Sequence, residues 1–231
     1  GQNPYYRMWN TDNGGYSGQA SANSPFFNQT SKHAYVDYFN DFNHTKQATR
    51  DYVKRITQYW IEEYKIDGFR WDFTKGFTQN CENNASCTDA YQQDRVDVLK
   101  EYADYQWEID PNFYIIFEHL GGNTEETEWV NYRLNEGKGI MVWSNHNHQY
   151  NEATLGFHDG GKSNFSWISY KNRGWSVPAN VGYMESHDEE RLMYKNLQFG
   201  NSNGNYNIKT LNTALDRIEL AGAFYFTIPG P

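Results

Sequence analysis

Four times along this chain a segment with helical spacing alternates with a short apolar run. That alternation restricts the fold more than any other feature. From Thr45 to Lys65 the apolar residues Val53, Ile56, Trp60 and Tyr64 recur at three- and four-residue intervals, the period of a helix. The short run Ile66–Asp72 follows and predicts a strand. A second helix is predicted over about Asp89–Asp110, with Val96, Leu99, Tyr102 and Trp107 roughly on one side and Pro111 stopping it. Asn112–Glu118 is almost continuously apolar, the pattern of a strand buried on both faces. Further strands are predicted at Gly139–Trp143 and Val181–Ser186. Helices are predicted at about Thr124–Asn135 and Leu211–Phe226, the latter with Leu211, Leu215, Ile218 and Gly222 on one stripe, and a short helix plus a long loop within residues 144–178. Such alternation gives parallel strands with helical crossovers, an α/β fold. Residues 1–45 are rich in Asn, Gly, Ser, Tyr and Phe without a period and predict a long irregular segment. With no repeat, linker or low-complexity tract, residues 1–231 read as one domain.

Composition narrows the function. The formal net charge is −9 and no basic run occurs, which argues against nucleic-acid binding, whose affinity comes mostly from phosphate neutralisation. No apolar run approaches a membrane span, and no N-terminal segment resembles a signal peptide. Aromatics are 18% of the chain, which separates it from disordered sequences and suits either an aromatic core or rings that stack on flat polar ligands. Cys81 and Cys87 lack metal-site spacing, and a loop disulfide or two free thiols are both open.

Three acids stand at strand ends. Asp72 closes the first predicted strand, Glu118 closes the second, and Asp188 follows the fourth. Their spacings fit strand–helix–strand units, and in a parallel α/β barrel all strand C-termini share one face. Arg70, two residues before Asp72, points the same way from the strand and favours the ionised carboxylate a nucleophile needs. Glu118 ends an apolar run, so desolvation raises its pKa toward that of a general acid. His187, beside Asp188, can donate to a sugar hydroxyl.

These residues resemble the α-amylase family of glycoside hydrolases, enzymes built on a (β/α)8 barrel. Gly68-Phe69-Arg70-Trp71-Asp72-Phe73-Thr74-Lys75 resembles the family's nucleophile strand, Phe117-Glu118-His119 its acid/base strand, and Glu185-Ser186-His187-Asp188 its third-acid motif. Asp41-Phe42-Asn43 resembles a short motif of its loop domain. The resemblance implies a retaining hydrolase cleaving internal α-1,4-glucosidic bonds of starch-type glucans. Asp72 is implied as nucleophile, Glu118 as acid/base, and Asp188 as the acid that grips sugar hydroxyls. Arg70, His187, Lys75 and His119 are implied in substrate binding or in fixing the acids, and Trp143 and Tyr183 are the expected sugar platforms.

Other features depart from the family pattern. The motif of barrel strand three is absent, and Gly76 follows Lys75 where many relatives have histidine. Aligned strand by strand, the chain corresponds to about strands four to seven with their helices, a partial barrel (46–231) preceded by a loop-domain remnant (1–45). No cofactor is needed for the chemistry. The usual calcium site is incomplete, and a substitute site at Asp37 or Asp41 is open. Open sheet edges lead to two expectations: that residues 1–45 fold over one edge, or that two chains pair. The alternative function is an impaired fragment that at most binds α-glucan weakly. Secretion is implied by resemblance, because polymeric starch cannot enter a cell. The sequons at Asn28, Asn43, Asn84 and Asn164 carry no functional reading.

Overall fold

The computed structural model of the chain describes residues 3–11, 18–35 and 41–230. Where the sequence reads as one domain, the contacts divide the chain into two compact units, Gly1–Met141 and Val142–Pro231. The expected α/β class holds: four strands alternate with helices, and they pair in parallel, β1 with β2 and β3 with β4.

In the first unit, helix α1 (Pro4–Met8) starts on Asn3, whose side chain accepts the Tyr5 and Tyr6 N–H groups. Helix α2 (Gln47–Tyr64) leads to β1 (Gly68–Trp71), a disulfide-bearing loop with the short helix α3 (Ala85–Asp89), then α4 (Gln93–Ile109), β2 (Tyr114–Phe117) and α5 (Asn123–Val130). The register sets Gly68 opposite Tyr114 and Trp71 opposite Phe117. Only glycine fits at 68, since a Cβ there would lie 2.7 Å from the Tyr114 Cβ and carbonyl oxygen. The core gathers Val96, Leu99, Tyr102 and Trp107 of α4, the four residues expected on its apolar side, with Ile115 and Phe117 of β2 and with Trp129. The β2 strand is buried on one face rather than two, because Tyr114 stands exposed.

Helix α2 forms as expected, but it buries Thr49, Thr57 and Ile61. Trp60 and Tyr64 remain exposed, with their rings tilted against each other at 4.6 Å. The described parts of residues 1–45 pack on α2, on the disulfide loop and on the turn after β1, where the His33 ring meets Phe73. Tyr5 meets Tyr52 and Phe26, Arg55 donates to the Tyr5 hydroxyl, and Cys81 N–H donates to the Lys32 carbonyl. Cys81 and Cys87 are joined, with Cα atoms 5.3 Å apart.

In the second unit, β3 (Met141–Asn145, whose first residue belongs to the other unit) pairs with β4 (Asn180–Tyr183) so that Trp143 faces Val181. Helix α6 (Asn147–Leu155), α7 (Leu192–Phe199) and α8 (Leu211–Tyr225) pack together, and a hairpin of β5 (Ser202–Asn203) and β6 (Tyr206–Asn207) precedes α8. The buried stripe of α8 is Ala214 and Ala221, with Ile218 and Tyr225 against the core. Leu211 and Leu215, expected on the apolar stripe, are exposed. Among the described residues no helix is long and apolar enough to cross a membrane.

Candidate active site

The β1–β2 register brings two of the acids together. Asp72 and Glu118 each follow the last paired residue of their strand, and the Glu118 N–H donates to the Trp71 carbonyl at 2.9 Å. Arg70, two residues back on β1, spans both acids: one guanidinium nitrogen binds Asp72 Oδ1 and the other lies 2.9 Å from Glu118 Oε1. The second oxygen of Glu118 accepts the Phe73 N–H at 2.7 Å. The Glu118 side chain is 14% exposed, that of Asp72 76%. Burial raises the Glu118 pKa above the usual carboxylate value; the Phe73 N–H and Arg70 oppose this, and Asp72 adds to it by charge and by a hydrogen bond. A groove of about 270 Å³ runs beside Asp72, lined by Val53, Ile56, Trp60, Phe69 and Trp71.

Lys75 follows on the turn after β1. Its amine binds Asp89 Oδ1 at 3.0 Å and lies over the Tyr35 ring, whose hydroxyl donates to the other oxygen of Asp89. His119, expected among the substrate ligands, is buried instead, with Nε2 2.6 Å from Glu125.

In the second unit, Asp188 and His187 are exposed, at 62% and 65% of their side chains, and lie 3.4 Å apart. Trp143 meets the Tyr183 ring edge-on at 5.1 Å. Glu189, which the sequence reading passed over, gathers this loop: it accepts from Asn145 at 2.6 Å, from the Tyr183 hydroxyl at 3.3 Å and from the Ser186 hydroxyl. Its signal was only one more acid in an acidic run. The Phe73 N–H has no side-chain signal at all.

Asp37 lies outside the described residues. Asp41 is buried, but its Oδ2 accepts N–H groups from Asn28 at 2.7 Å and Lys32 at 2.9 Å, with His33 3.7 Å from Oδ1. Among the described residues no three His, Cys, Asp or Glu side chains cluster as a metal site would require.

Comparison with known proteins identifies the family and the fold. The Alpha-amylase family, described as the alpha amylase catalytic domain, matches residues 15–222. The fold resembles a pullulanase type I from Bacillus subtilis str. 168 solved with maltose (TM-score 0.54, 18% identity), covering 83% of this chain and 26% of that one. A Nostoc punctiforme debranching enzyme (TM-score 0.49, 18% identity) is covered over 90% of this chain and 43% of its own. A cyclomaltodextrinase (TM-score 0.46, 19% identity) is covered over 73% and 26%. The chain therefore spans about a quarter of the pullulanase's length. No curated protein sequence matches. With the family matched over most of its length, the chain belongs to the alpha-amylase catalytic-domain family.

Proposed function

We propose that the chain cleaves internal α-1,4-glucosidic bonds of starch-type glucans with retention of configuration. The observation that carries this reading is the single guanidinium of Arg70 in contact with both Asp72 and Glu118. In the first step an oxygen of Asp72 attacks the anomeric carbon. The bond to the leaving oxygen breaks, and Glu118 gives that oxygen its proton. In the second step Glu118 takes a proton from water, water oxygen attacks the anomeric carbon, and the ester to Asp72 breaks. Retention needs the two carboxyls close together, and their shared contact with the Arg70 guanidinium supports that arrangement. Desolvation raises the Glu118 pKa, the direction that favours the protonated form the first step uses.

The remaining roles belong to the same proposal. Asp188 and His187 are paired with each other and exposed, and by the family resemblance they would take sugar hydroxyls. Lys75 would touch the leaving-group side, and Trp143 with Tyr183 would offer ring surface. The disulfide fits an oxidising, extracellular setting.

One observation favours a second reading, glucan binding without turnover. Asp72 is largely open to water, and charge stabilisation in a transition state depends on a site from which water is excluded. Reducing-sugar release from soluble starch decides between them. The native chain should release sugar and Asp72→Asn should not. Equal release by both removes Asp72 as nucleophile, and binding of starch with no release by either supports the second reading.

A further inference from the structure

Phe73 is a bulky residue held in the left-handed region, at φ 45° and ψ 54°. A side chain of that kind seldom adopts this conformation, and it persists only where the surroundings over-determine it. The strained residue delivers the N–H that Glu118 Oε2 accepts.

Several contacts fix the turn. The Thr74 N–H and hydroxyl both donate to the Glu118 carbonyl, at 2.9 and 3.0 Å. Arg95, fully buried on α4, donates to the Lys75 carbonyl at 2.9 Å. The rest of its guanidinium binds the Thr88 and Ala90 carbonyls and both oxygens of Glu125, the closest at 2.7 Å. Glu125 also accepts the Gln92 N–H at 2.8 Å and lies 2.6 Å from His119 Nε2. His119 Nδ1 faces the Thr74 hydroxyl at 3.4 Å, and the His119 ring packs edge-on against Trp129. Gly121 lets the chain pass over that ring, since a Cβ there would lie 2.4 Å from Nε2. The chain of contacts thus runs from α4 through α5 to the residue after Glu118 and back to the turn. Buried ion pairs are poor stabilisers compared with apolar packing, so stability alone does not account for it.

We propose that Thr74, His119, Glu125 and Arg95 form a buried positioning network that holds the Phe73–Lys75 turn in its left-handed shape and aims the Phe73 N–H at Glu118. The network deepens the reading of Glu118 as acid/base, and its consequence for catalysis rests on that reading. Glu118 faces Arg70 and Asp72 from the β1 side and the Phe73 N–H from the turn. His119, Glu125 and Arg95 stand behind the turn, and Lys75 within it is paired with Asp89. The Phe73 N–H favours the carboxylate, so losing its aim raises the Glu118 titration further.

The test is a carbon-13 NMR titration of the Glu118 carboxyl in the full chain, assigned with Glu118→Gln. Thr74→Val should move the Glu118 midpoint up by about one pH unit, as expected for a lost hydrogen bond to a charged group. Thr74→Ser, which keeps the hydroxyl, should restore it, and His119→Gln should shift it in the same direction. An unchanged midpoint in Thr74→Val with native circular dichroism overturns the network. Should that variant fail to fold, the unmodified chain still decides. Its Phe73 amide shift should follow the Glu118 titration, and an amide indifferent to that titration overturns the proposal. An ordinary wild-type midpoint that still rises in Thr74→Val would leave the network standing and remove the acid/base reading.

Discussion

Glu118 is the residue on which pH acts most directly. Its pKa is raised in the folded chain, chiefly by burial. Above its ordinary value of 4.5 the unfolded chain has released a proton that the folded chain still holds. Stability contributed by this group therefore falls as pH rises through that window. Glu118→Gln should gain melting temperature over the native chain as pH is raised from 4 to 7, measured by thermal unfolding; a difference that does not grow with pH contradicts the burial account. Arg70→Gln should lower starch hydrolysis by about 10²–10³-fold, the scale of losing one preorganised charge-stabilising donor. The same variant should raise the Glu118 midpoint, because Arg70 favours its carboxylate. Activity within a few-fold of native would show that the bridge is not needed. The Arg70–Asp72 contact was legible in the sequence because strand parity puts residues 70 and 72 on one side. The same parity turns residue 119 away from 118, which is why His119 lies buried against Glu125 and not beside its neighbour. A backbone donor such as the Phe73 N–H leaves no trace in residue types.

Helices and strands were legible wherever periodicity was strong. Helix α4 shows its expected apolar side buried, and all four predicted strands exist within a few residues of their expected bounds. The apolar stripes of α2 and α8 were harder to read, because small residues do the packing there. Thr49 and Thr57 on α2, and Ala214 and Ala221 on α8, are buried while larger residues stand in solvent. Helix α7 and the β5–β6 hairpin were missed, the helix being only eight residues long and the hairpin strands two residues each. In the α4 core, Leu99→Ala should cost about 2–5 kcal/mol in denaturant unfolding, the range for a fully buried leucine. Reducing the Cys81–Cys87 bridge, which closes a loop of six residues, should cost about 2 kcal/mol. The joint between the N-terminal segment and α4 adds a pH response. His44 stacks on Phe77 and its Nδ1 meets the Tyr102 hydroxyl at 2.9 Å. Burial, with the Arg50 charge adding, pushes its pKa down to about 3. Between pH 6.5 and about 3 the unfolded chain takes up a proton that the folded chain refuses, so stability falls on acidification. Thermal unfolding across that range should show a smaller loss in His44→Asn than in the native chain. Parallel losses would place the acid sensitivity elsewhere.

At the scale of the whole molecule, the chain has net charge −9, belongs to a glucan-acting family, and carries its nucleophile candidate on an edge strand. The groove along that edge, with Trp60 exposed, predicts concentration-dependent association of the chain in light scattering. Trp60→Glu should reduce it, and a monomer at all concentrations would contradict that expectation. The central claim is chemical, namely that Asp72 forms the covalent bond to sugar while Glu118 manages the protons. Trapping tests it most directly. The chain is incubated with a fluorinated α-glucosyl fluoride that slows hydrolysis of a glycosyl ester, digested, and mapped by mass spectrometry. The account predicts one glucosyl adduct, on the peptide carrying Asp72 and lost in Asp72→Asn. An adduct on another carboxylate, or starch hydrolysis that persists in Asp72→Asn, would contradict it.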